Sequence, residues 1–223
     1  MLPLTPRFAE SLSYAAQLHA SQYRKGTRIP YVSHLLAVTA IVLEYGGDED
    51  QAIAAILHDA VEDQGGANTA AEIGQKYGPE VLSLVLACTD TDQSPKPPWQ
   101  ARKQHYIDHL AQAPERAFLI SGADKLHNLR SILRDYLRDG EQIWARFGGG
   151  KEGSLWYYRE LTRLFVNRLP ETLYAELQQT LHDLEEAIRI VETTDFPNPQ
   201  RQPAQQQNTA QRLPLAQQQA QQQ

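Results

Sequence analysis

The sequence contains a single cysteine, Cys88, so no intramolecular disulfide can form in this chain. Cys88 follows an apolar run that begins at Leu84, and this setting predicts a buried core residue rather than a catalytic thiol. No stretch approaches 18 apolar residues, so no membrane span is predicted. The first 20 residues lack a basic start and a continuous apolar run, so no signal peptide is expected. These absences together predict a cytoplasmic protein in a reducing compartment.

The 223-residue chain also lacks an excess of basic residues. Its net charge is −6. Residues 195–223 carry Arg201 and Arg212 against Asp195, a charge of +1, which leaves −7 for residues 1–194. A body this acidic argues against nucleic acid or an anionic membrane as the partner. It still allows a local basic pocket for a small phosphorylated ligand, which we expect to be the partner.

Alternating apolar and polar residues, the pattern of a half-buried strand, are almost absent, whereas apolar spacing of three to four residues is common. The chain length suits one domain. We therefore predict an all-α fold, a single helical bundle over residues 1–194. The predicted helix starts are Thr5-Pro6, Ser33, Asp48, Thr69 with Glu72 as a capping box, Pro79, Trp99, Pro114, and residues near 154 and 171.

The last 29 residues, 195–223, differ in composition from the rest of the chain, since from Phe196 they consist mainly of Gln, Pro and Ala. Such a segment has too few apolar residues to offset the entropy of ordering, so we predict a disordered, low-complexity tail.

One stretch, residues 54–63 (Ala-Ala-Ile-Leu-His-Asp-Ala-Val-Glu-Asp), places two ionisable pairs at the end of an apolar run. On one continuous helix, Glu62 would lie over His58 and Asp63 over Asp59, because residues four apart share a face. Carboxylates this close repel each other unless a cation holds them. The stretch therefore indicates a metal site, although a charged turn that only solvates the helix end is the alternative.

Two further residues could complete a metal site. His34 follows a loop rich in Arg and Lys, and Asp124 is an acid within an apolar helical stretch. A mixed nitrogen and oxygen set made by His34, His58, Asp59 and Asp124 suits Mn²⁺, Fe²⁺ or Mg²⁺ with open positions. The set lacks the thiolates of a closed structural zinc site.

Three segments carry a resemblance to the HD-domain phosphohydrolases, and in particular to the hydrolase domain of the Rel/SpoT enzymes and the stand-alone small alarmone hydrolases. These segments are residues 23–34, 57–63 and 123–130, and the resemblance extends over about residues 5–190. It implies an HD-domain fold and one Mn²⁺ per chain, held by His34, His58, Asp59 and Asp124. It also implies hydrolysis of the 3′-pyrophosphate of (p)ppGpp to GDP or GTP, with no synthetase activity.

The resemblance further implies roles for individual residues. Glu62 and Asp63 would orient water and move protons. The substrate-binding candidates are Arg24, Lys25, Lys125, Asn128 and Ser131, and the glycine-rich stretch described below adds Lys151. Lys125 would point partly away from the metal. Arg24 and Lys25 could equally form an ordinary solvated loop, and Asn128 could be a surface amide. The remaining histidines, His19, His105, His109, His127 and His182, match no motif and are predicted to be surface or core residues.

Two features depart from the family pattern. One extra residue separates Arg24 and Lys25 from His34, which affects only the expected contact with the base. The Gly148–Gly153 stretch is not a Walker loop, because the Gly-Lys-[Ser/Thr] ending is missing. It could close over a phosphate with Lys151, or it could be a plain turn into a buried helix.

Other functions fit the same motifs. The site could act on (p)ppApp or remove the 2′-phosphate of NADPH, since the choice of base depends on loop shape. A catalytically silent HD domain that senses nucleotides is a further alternative, although Glu62 and Asp63 would not be needed for binding alone. The sequence does not specify an oligomeric state.

Overall fold

The computed structural model describes residues 3–91 and 95–193, which are helical apart from short connections. The prediction of an all-α fold is confirmed: among these residues, β-type pairing is limited to a bridge between Tyr23 and Pro30. The helices are α1 (Pro6–Leu18), α2 (Val32–Glu44), α3 (Glu49–Leu57), α4 (Ala60–Asp63), α5 (Ala67–Tyr77), α6 (Pro79–Cys88), α7 (Trp99–Ala111), α8 (Glu115–Asp139), α9 (Gly150–Leu164) and α10 (Glu171–Thr193), with a 3₁₀ helix at Gly140–Arg146.

The chain divides into two units, residues 1–188 and residues 189–223. The first unit contains the hydrophobic core. Of the second unit, the structure describes residues 189–193, which are helical. The predicted boundary between residues 194 and 195 and the predicted disordered tail lie outside the described residues and stay predictions. None of the described helices combines the length and the apolar character that crossing a bilayer requires.

The starts of α1 and α3 follow their sequence signals. The Thr5 hydroxyl accepts a hydrogen bond from the Arg7 N–H, and Pro6 occupies the first turn of α1. Asp48 and Gln51 form a reciprocal capping box at the start of α3, which satisfies two backbone donors that the helix leaves open.

Two other predicted caps are wrong. Helix α2 begins at Val32, so Ser33 lies inside it and donates its hydroxyl hydrogen to the Pro30 carbonyl. Thr69 lies in the first turn of α5, where its hydroxyl donates to the Gln64 carbonyl rather than accepting from a helix N–H. In both cases a nearby carbonyl in the preceding turn attracts the hydroxyl, a competition that Ser and Thr side chains often enter.

Helix α3 is the centre of the core. All residues from Ala52 to Leu57 have no solvent exposure, and the helix contacts α1, α2, α6 and α8. This burial on every side explains why its sequence is apolar all round instead of amphipathic. The fold therefore fixes the carboxyl end of α3, which carries the His58-Asp59 pair, within the packed part of the molecule.

The predicted continuous helix through residues 58–63 is wrong, because α3 ends at Leu57 and α4 begins at Ala60. The His58 imidazole donates to the Ala55 carbonyl (2.8 Å), which is the acceptor that an uninterrupted helix would use for the Asp59 N–H. The break places Asp59 at the N-cap position of α4.

The glycine-rich stretch begins α9 at Gly150, earlier than the predicted start near residue 154. Its glycines allow close contact with the Trp99 indole at the start of α7. A Cβ atom at Gly149 would lie 2.6 Å from the ring, and Cβ atoms at Gly148 and Gly153 would lie 3.0 Å from it. The small residues therefore let α7 and α9 meet.

Candidate active site

Four side chains predicted as metal ligands meet where α2, α3, α4 and α8 converge. His34 comes from the first turn of α2, His58 and Asp59 from the junction of α3 and α4, and Asp124 from α8. His34 Nε2 lies 3.2 Å from an Asp124 oxygen and 3.6 Å from an Asp59 oxygen. His58 Nε2 lies 3.0 Å from Asp59 and 3.7 Å from Asp124. The structure thus brings together all four predicted ligands.

The donor set fits a divalent cation. His58 donates its Nδ1 hydrogen to the Ala55 carbonyl, so its buried Nε2 faces two carboxylates. That nitrogen has no hydrogen-bond partner. Burial disfavours a charged imidazole, but Asp59 and Asp124 raise the pKa of His58 well above its usual value. The two carboxylates therefore favour positive charge at this position, which a bound divalent cation can supply.

Both carboxylates at the site are held ionised. Burial opposes ionisation of Asp124, yet Lys125, His34 and His58 keep the pKa of Asp124 well below its usual range. Burial likewise opposes ionisation of Asp59, but His58 and His34 lower the pKa of that carboxyl. Ionised carboxylates and imidazole nitrogens form a set of ligands that suits borderline and hard divalent ions.

Lys125 is buried, and its ammonium group donates to an Asp124 oxygen at 2.5 Å. It also lies 4.6 Å from the centre of the Tyr106 ring. Lys125 contacts the Asp124 oxygen other than the one that lies near His34 and His58. Its charge neutralises one carboxylate oxygen, while Asn128 donates to the other oxygen of Asp124 at 2.6 Å.

Sequence reasoning missed His127, which contacts His34. The two Nδ1 atoms are 2.8 Å apart and the ring centres 4.8 Å apart. Burial, together with the neighbouring His34 and Arg24, lowers the pKa of His127 to about 4, so this ring is neutral near pH 7 and can accept the His34 hydrogen. Such outer hydrogen bonds fix the orientation of metal-ligating imidazoles. The available signal was the spacing of three from Asp124, which places both residues on one face of α8.

Glu62 and Asp63, the predicted acid–base pair, lie beside the ligands. One Glu62 oxygen accepts from Lys96 at 2.7 Å, and the other accepts from the Asp90 N–H at 3.3 Å. Asp63 accepts from the Gln22 amide at 2.8 Å. Hydrogen bonds from these donors therefore fix the orientation of each carboxylate. A fixed orientation suits a residue that transfers protons.

A cavity of about 840 Å³ opens onto this group of carboxylates. Its size lies in the usual range for small-molecule sites. Arg24, Lys25, Lys125, Asn128 and Ser131 line it, as do Asp59, Glu62, Asp63 and Asp124. Lys151 does not line the cavity, and it pairs with Glu141 at 3.3 Å. The structure therefore brings the other five predicted substrate-binding residues to the site and leaves Lys151 outside it.

Arg24 reaches across the cavity from the loop that precedes α2. Its guanidinium donates to the Asn128 side-chain oxygen at 2.6 Å and lies 5.7 Å from the centre of the Tyr31 ring. Asn128 in turn donates to Asp124. The loop is therefore an ordered part of the site rather than a solvated segment, and Arg24 is linked to Asp124, a candidate metal ligand, through the Asn128 amide.

A second group of cations was also missed. Arg102 and Lys103, in the first turns of α7, line the cavity and pair with the buried Asp90 carboxylate. Burial, with Lys125 and Arg102 nearby, lowers the pKa of Lys103 to about 7. The sequence offered no spacing that joined α7 to the metal ligands, because only tertiary packing brings this helix to the cavity.

Comparisons with known proteins indicate the family of this chain. A model of the HD domain family matches residues 11–155. A guanosine-3′,5′-bis(diphosphate) 3′-pyrophosphohydrolase, MESH1, from Xenopus tropicalis is 38% identical over 128 residues, which cover 56% of this chain and 69% of that protein. The Drosophila melanogaster MESH1 is 39% identical over 150 residues, covering 63% of this chain and 81% of that protein.

A similar solved structure is described as a metazoan ortholog of SpoT that hydrolyzes ppGpp and plays a role in starvation responses. The TM-score is 0.66 at 28% identity, and the match covers 84% of this chain and 99% of that one. The likeness therefore spans nearly the whole of the neighbouring protein.

Proposed function

The chain belongs to the HD-domain family of Rel/SpoT-type hydrolases, and from this premise we propose that it removes the 3′-pyrophosphate of (p)ppGpp in a metal-dependent hydrolysis, releasing GDP or GTP. The observation that carries the proposal is the convergence of His34, His58, Asp59 and Asp124. The two aspartates of this group line one cavity together with Glu62, Asp63 and several Arg and Lys side chains.

We assign the four ligands to one Mn²⁺, which is supported by the mixed nitrogen and oxygen donors and by the lack of thiolates. When bound, such an ion supplies positive charge that makes water more acidic and polarises the phosphoryl group. His58 is held for this role by the Ala55 carbonyl, and Asp124 by Lys125 and Asn128. These outer contacts keep the ligand atoms in place before the ion arrives.

The chemistry that remains for the protein is proton transfer. Water attacks the phosphorus atom joined to the 3′-oxygen, the bond between that oxygen and phosphorus breaks, and the departing ribose oxygen takes up a proton. Glu62 and Asp63 are the carboxylates placed to receive the proton of water and to return one to the leaving oxygen. Lys96 lies 2.7 Å from Glu62 and 3.9 Å from Asp63, so one cation connects the pair.

The substrate carries two diphosphates, so the cavity must offset a large negative charge. Arg24 and Lys25 supply cations from one side, and Arg102 supplies one from α7, where Lys103 can add another when it is protonated. Ser131 and Asn128 are neutral hydrogen-bonding groups on α8 that can contact the nucleoside. This distribution of charge explains how an acidic protein accommodates an anionic nucleotide.

Two finer assignments belong to the same proposal. A cytoplasmic location is supported by the single, buried Cys88, since a reduced thiol needs no oxidising compartment. A role in alarmone turnover of the stringent-response type is supported by the described role of the solved neighbour in starvation responses.

The roles of the acid–base pair can be tested by replacing Glu62 with Gln and Asp63 with Asn. Each variant should lose at least a hundredfold in kcat for ppGpp, as removal of a proton-transfer group does, while Mn²⁺ and nucleotide binding measured by calorimetry stay near wild-type values. Asp108→Asn, on the exposed face of α7, is the matched control. Full turnover by both Glu62→Gln and Asp63→Asn would refute the assignment.

A further inference from the structure

His19 is buried outside the group of metal ligands and has no role in the proposed reaction. It follows α1, is 2% exposed, and lies next to two residues of the loop that precedes α2. Its Nδ1 lies 2.6 Å from the Gln22 side-chain oxygen, which can only accept, so the imidazole donates this hydrogen. Its Nε2 is buried without a hydrogen-bond partner. The contacts of this buried imidazole are therefore one hydrogen bond from Nδ1 and the packing of its ring faces.

The hydrogen bond from His19 connects it, through Gln22, to Asp63 of the predicted acid–base pair. The Gln22 oxygen accepts from both His19 and the Gln64 amide (2.5 Å), so the orientation of the Gln22 amide is fixed. Its NH₂ group then points to Asp63 and donates to that carboxylate at 2.8 Å. Without His19, the amide could turn and present its oxygen to Asp63 instead.

The ring face of His19 connects it, through Tyr31, to Asp59, a candidate metal ligand. His19 stacks on Tyr31 with ring centres 5.4 Å apart and an angle of 15° between the planes. The Tyr31 hydroxyl donates to Asp59 at 2.6 Å. The stack therefore holds the phenol against the Asp59 oxygen that faces His34 and His58.

We propose that His19 is a positioning residue for both parts of the site, acting on Asp63 through Gln22 and on Asp59 through Tyr31. This inference rests on the proposed function, in which Asp63 moves protons and Asp59 binds the ion. The two connections use different parts of the imidazole, the Nδ1 hydrogen and the ring face, so they can be separated by substitution.

Two replacements of His19 separate its connection to Asp63 from its connection to Asp59. His19→Phe keeps a ring that can stack on Tyr31 but removes the donor, so kcat for ppGpp should fall about tenfold while the Mn²⁺ dissociation constant stays near the wild-type value. His19→Asn keeps a donor close to the Nδ1 position but removes the ring. This variant should bind Mn²⁺ about tenfold more weakly and keep most of its kcat at saturating Mn²⁺.

Single substitutions of Gln22 and of Tyr31 are compared with the two His19 variants. Gln22→Met should reproduce His19→Phe, and the double variant should lose no more kcat than either single one, because both changes break the same connection. Tyr31→Phe should reproduce the weaker metal binding of His19→Asn. Gln17→Met, an exposed glutamine on α1, is the control for an amide-to-thioether change and should match wild type. Thermal melts confirm that each variant is folded.

The inference is overturned if His19→Phe and His19→Asn change kcat and metal affinity in the same way, or if neither changes them. If wild-type protein binds Mn²⁺ but does not hydrolyse ppGpp, the proposed function fails. The calorimetric comparison of His19→Asn, Tyr31→Phe and wild type then still decides whether His19 supports the metal ligand.

Discussion

His127 shows what a single side chain adds to this site. Its neutral ring can accept the Nδ1 hydrogen of His34, which would leave the His34 nitrogen that faces Asp59 and Asp124 free for an ion. The sequence indicated the four ligands because His and Asp are the usual metal-binding types. It could not indicate His127, Gln22 or Tyr31 in the same way, because their importance lies in which group they touch, and packing decides those contacts.

Replacing His127 with Phe should raise the dissociation constant for Mn²⁺ about 10- to 100-fold, because the orienting hydrogen bond to His34 is lost while the aromatic volume is kept. Isothermal titration calorimetry on the purified variant measures this. His182→Phe makes the same chemical change at an exposed position and should leave the constant unchanged. Equal metal affinity in all three proteins would show that His34 needs no such partner.

Lys103 gives a prediction about pH. Its pKa is lowered to about 7 by burial and by Lys125 and Arg102, whereas an unfolded lysine titrates near 10.4. Below pH 7 both states hold the proton, and the cost of burying the charge is fully present. Between pH 7 and 10 the unfolded chain binds a proton that the folded one does not, so this lysine makes the free energy of unfolding rise with pH.

The expected contribution is at most about 1.4 kcal/mol per pH unit, the value for one proton. Urea denaturation of wild type and Lys103→Met at pH 6.5 and pH 9 isolates it, since other groups titrate in both proteins. The wild type should gain stability relative to the variant at pH 9. An equal change of stability in the two proteins would mean that Lys103 keeps its proton in the folded protein over this pH range.

At the level of helices, most of the fold follows from local signals, and the exceptions come from side-chain contacts that apolar spacing does not record. The three-to-four spacing of apolar residues located the helices, and Thr5 and Asp48 marked two starts correctly. The break at His58 was missed because the spacing of apolar residues does not show that the His58 side chain takes the Ala55 carbonyl as its acceptor. The approach of α7 to α9 depends on the fit of Trp99 to glycines, which has no signature in either helix alone.

The contact between α7 and α9 should be sensitive to one methyl group. Gly149 has an ordinary φ of −91°, so alanine is allowed there by the backbone, but its Cβ would lie 2.6 Å from the Trp99 ring. Gly149→Ala should lower the free energy of unfolding by about 1–3 kcal/mol, as overpacking does. It should also raise KM, since Trp99 lines the cavity.

Shortening the neighbouring side chain should relieve this effect. In a Trp99→Leu background, adding Gly149→Ala should cost less than about 0.5 kcal/mol, because the ring that the methyl group meets is gone. Denaturant titrations of the four proteins give the coupling energy. Additive losses would mean that Gly149 is required for some reason other than contact with Trp99.

For the whole molecule, the ligands join segments that are distant in the chain. His34, His58, Asp59 and Asp124 come from helices packed around α3, so an ion that binds all four binds only the folded state. Such binding must stabilise the protein by mass action. The sequence predicted the ligands through motif order, whereas the cavity and the cations of α7 follow from the complete fold.

Adding Mn²⁺ to chelator-treated protein should therefore raise the melting temperature, and the rise should grow with Mn²⁺ concentration. At 100 times the dissociation constant the stabilisation is about 2.7 kcal/mol. Differential scanning fluorimetry measures the shift. Asp124→Asn should abolish most of it, while Asp183→Asn on α10 should preserve it. A shift that persists in Asp124→Asn would place the ion elsewhere.

The most direct test of the proposed reaction is turnover of ppGpp by metal-free protein, with and without added Mn²⁺, followed by chromatography of the products. ppApp and NADPH run in parallel report the preference for base and phosphate position. The account predicts Mn²⁺-dependent formation of GDP and pyrophosphate in equal amounts. Release of inorganic phosphate from ppGpp, or no turnover of ppGpp by protein shown to bind the ion, would contradict it.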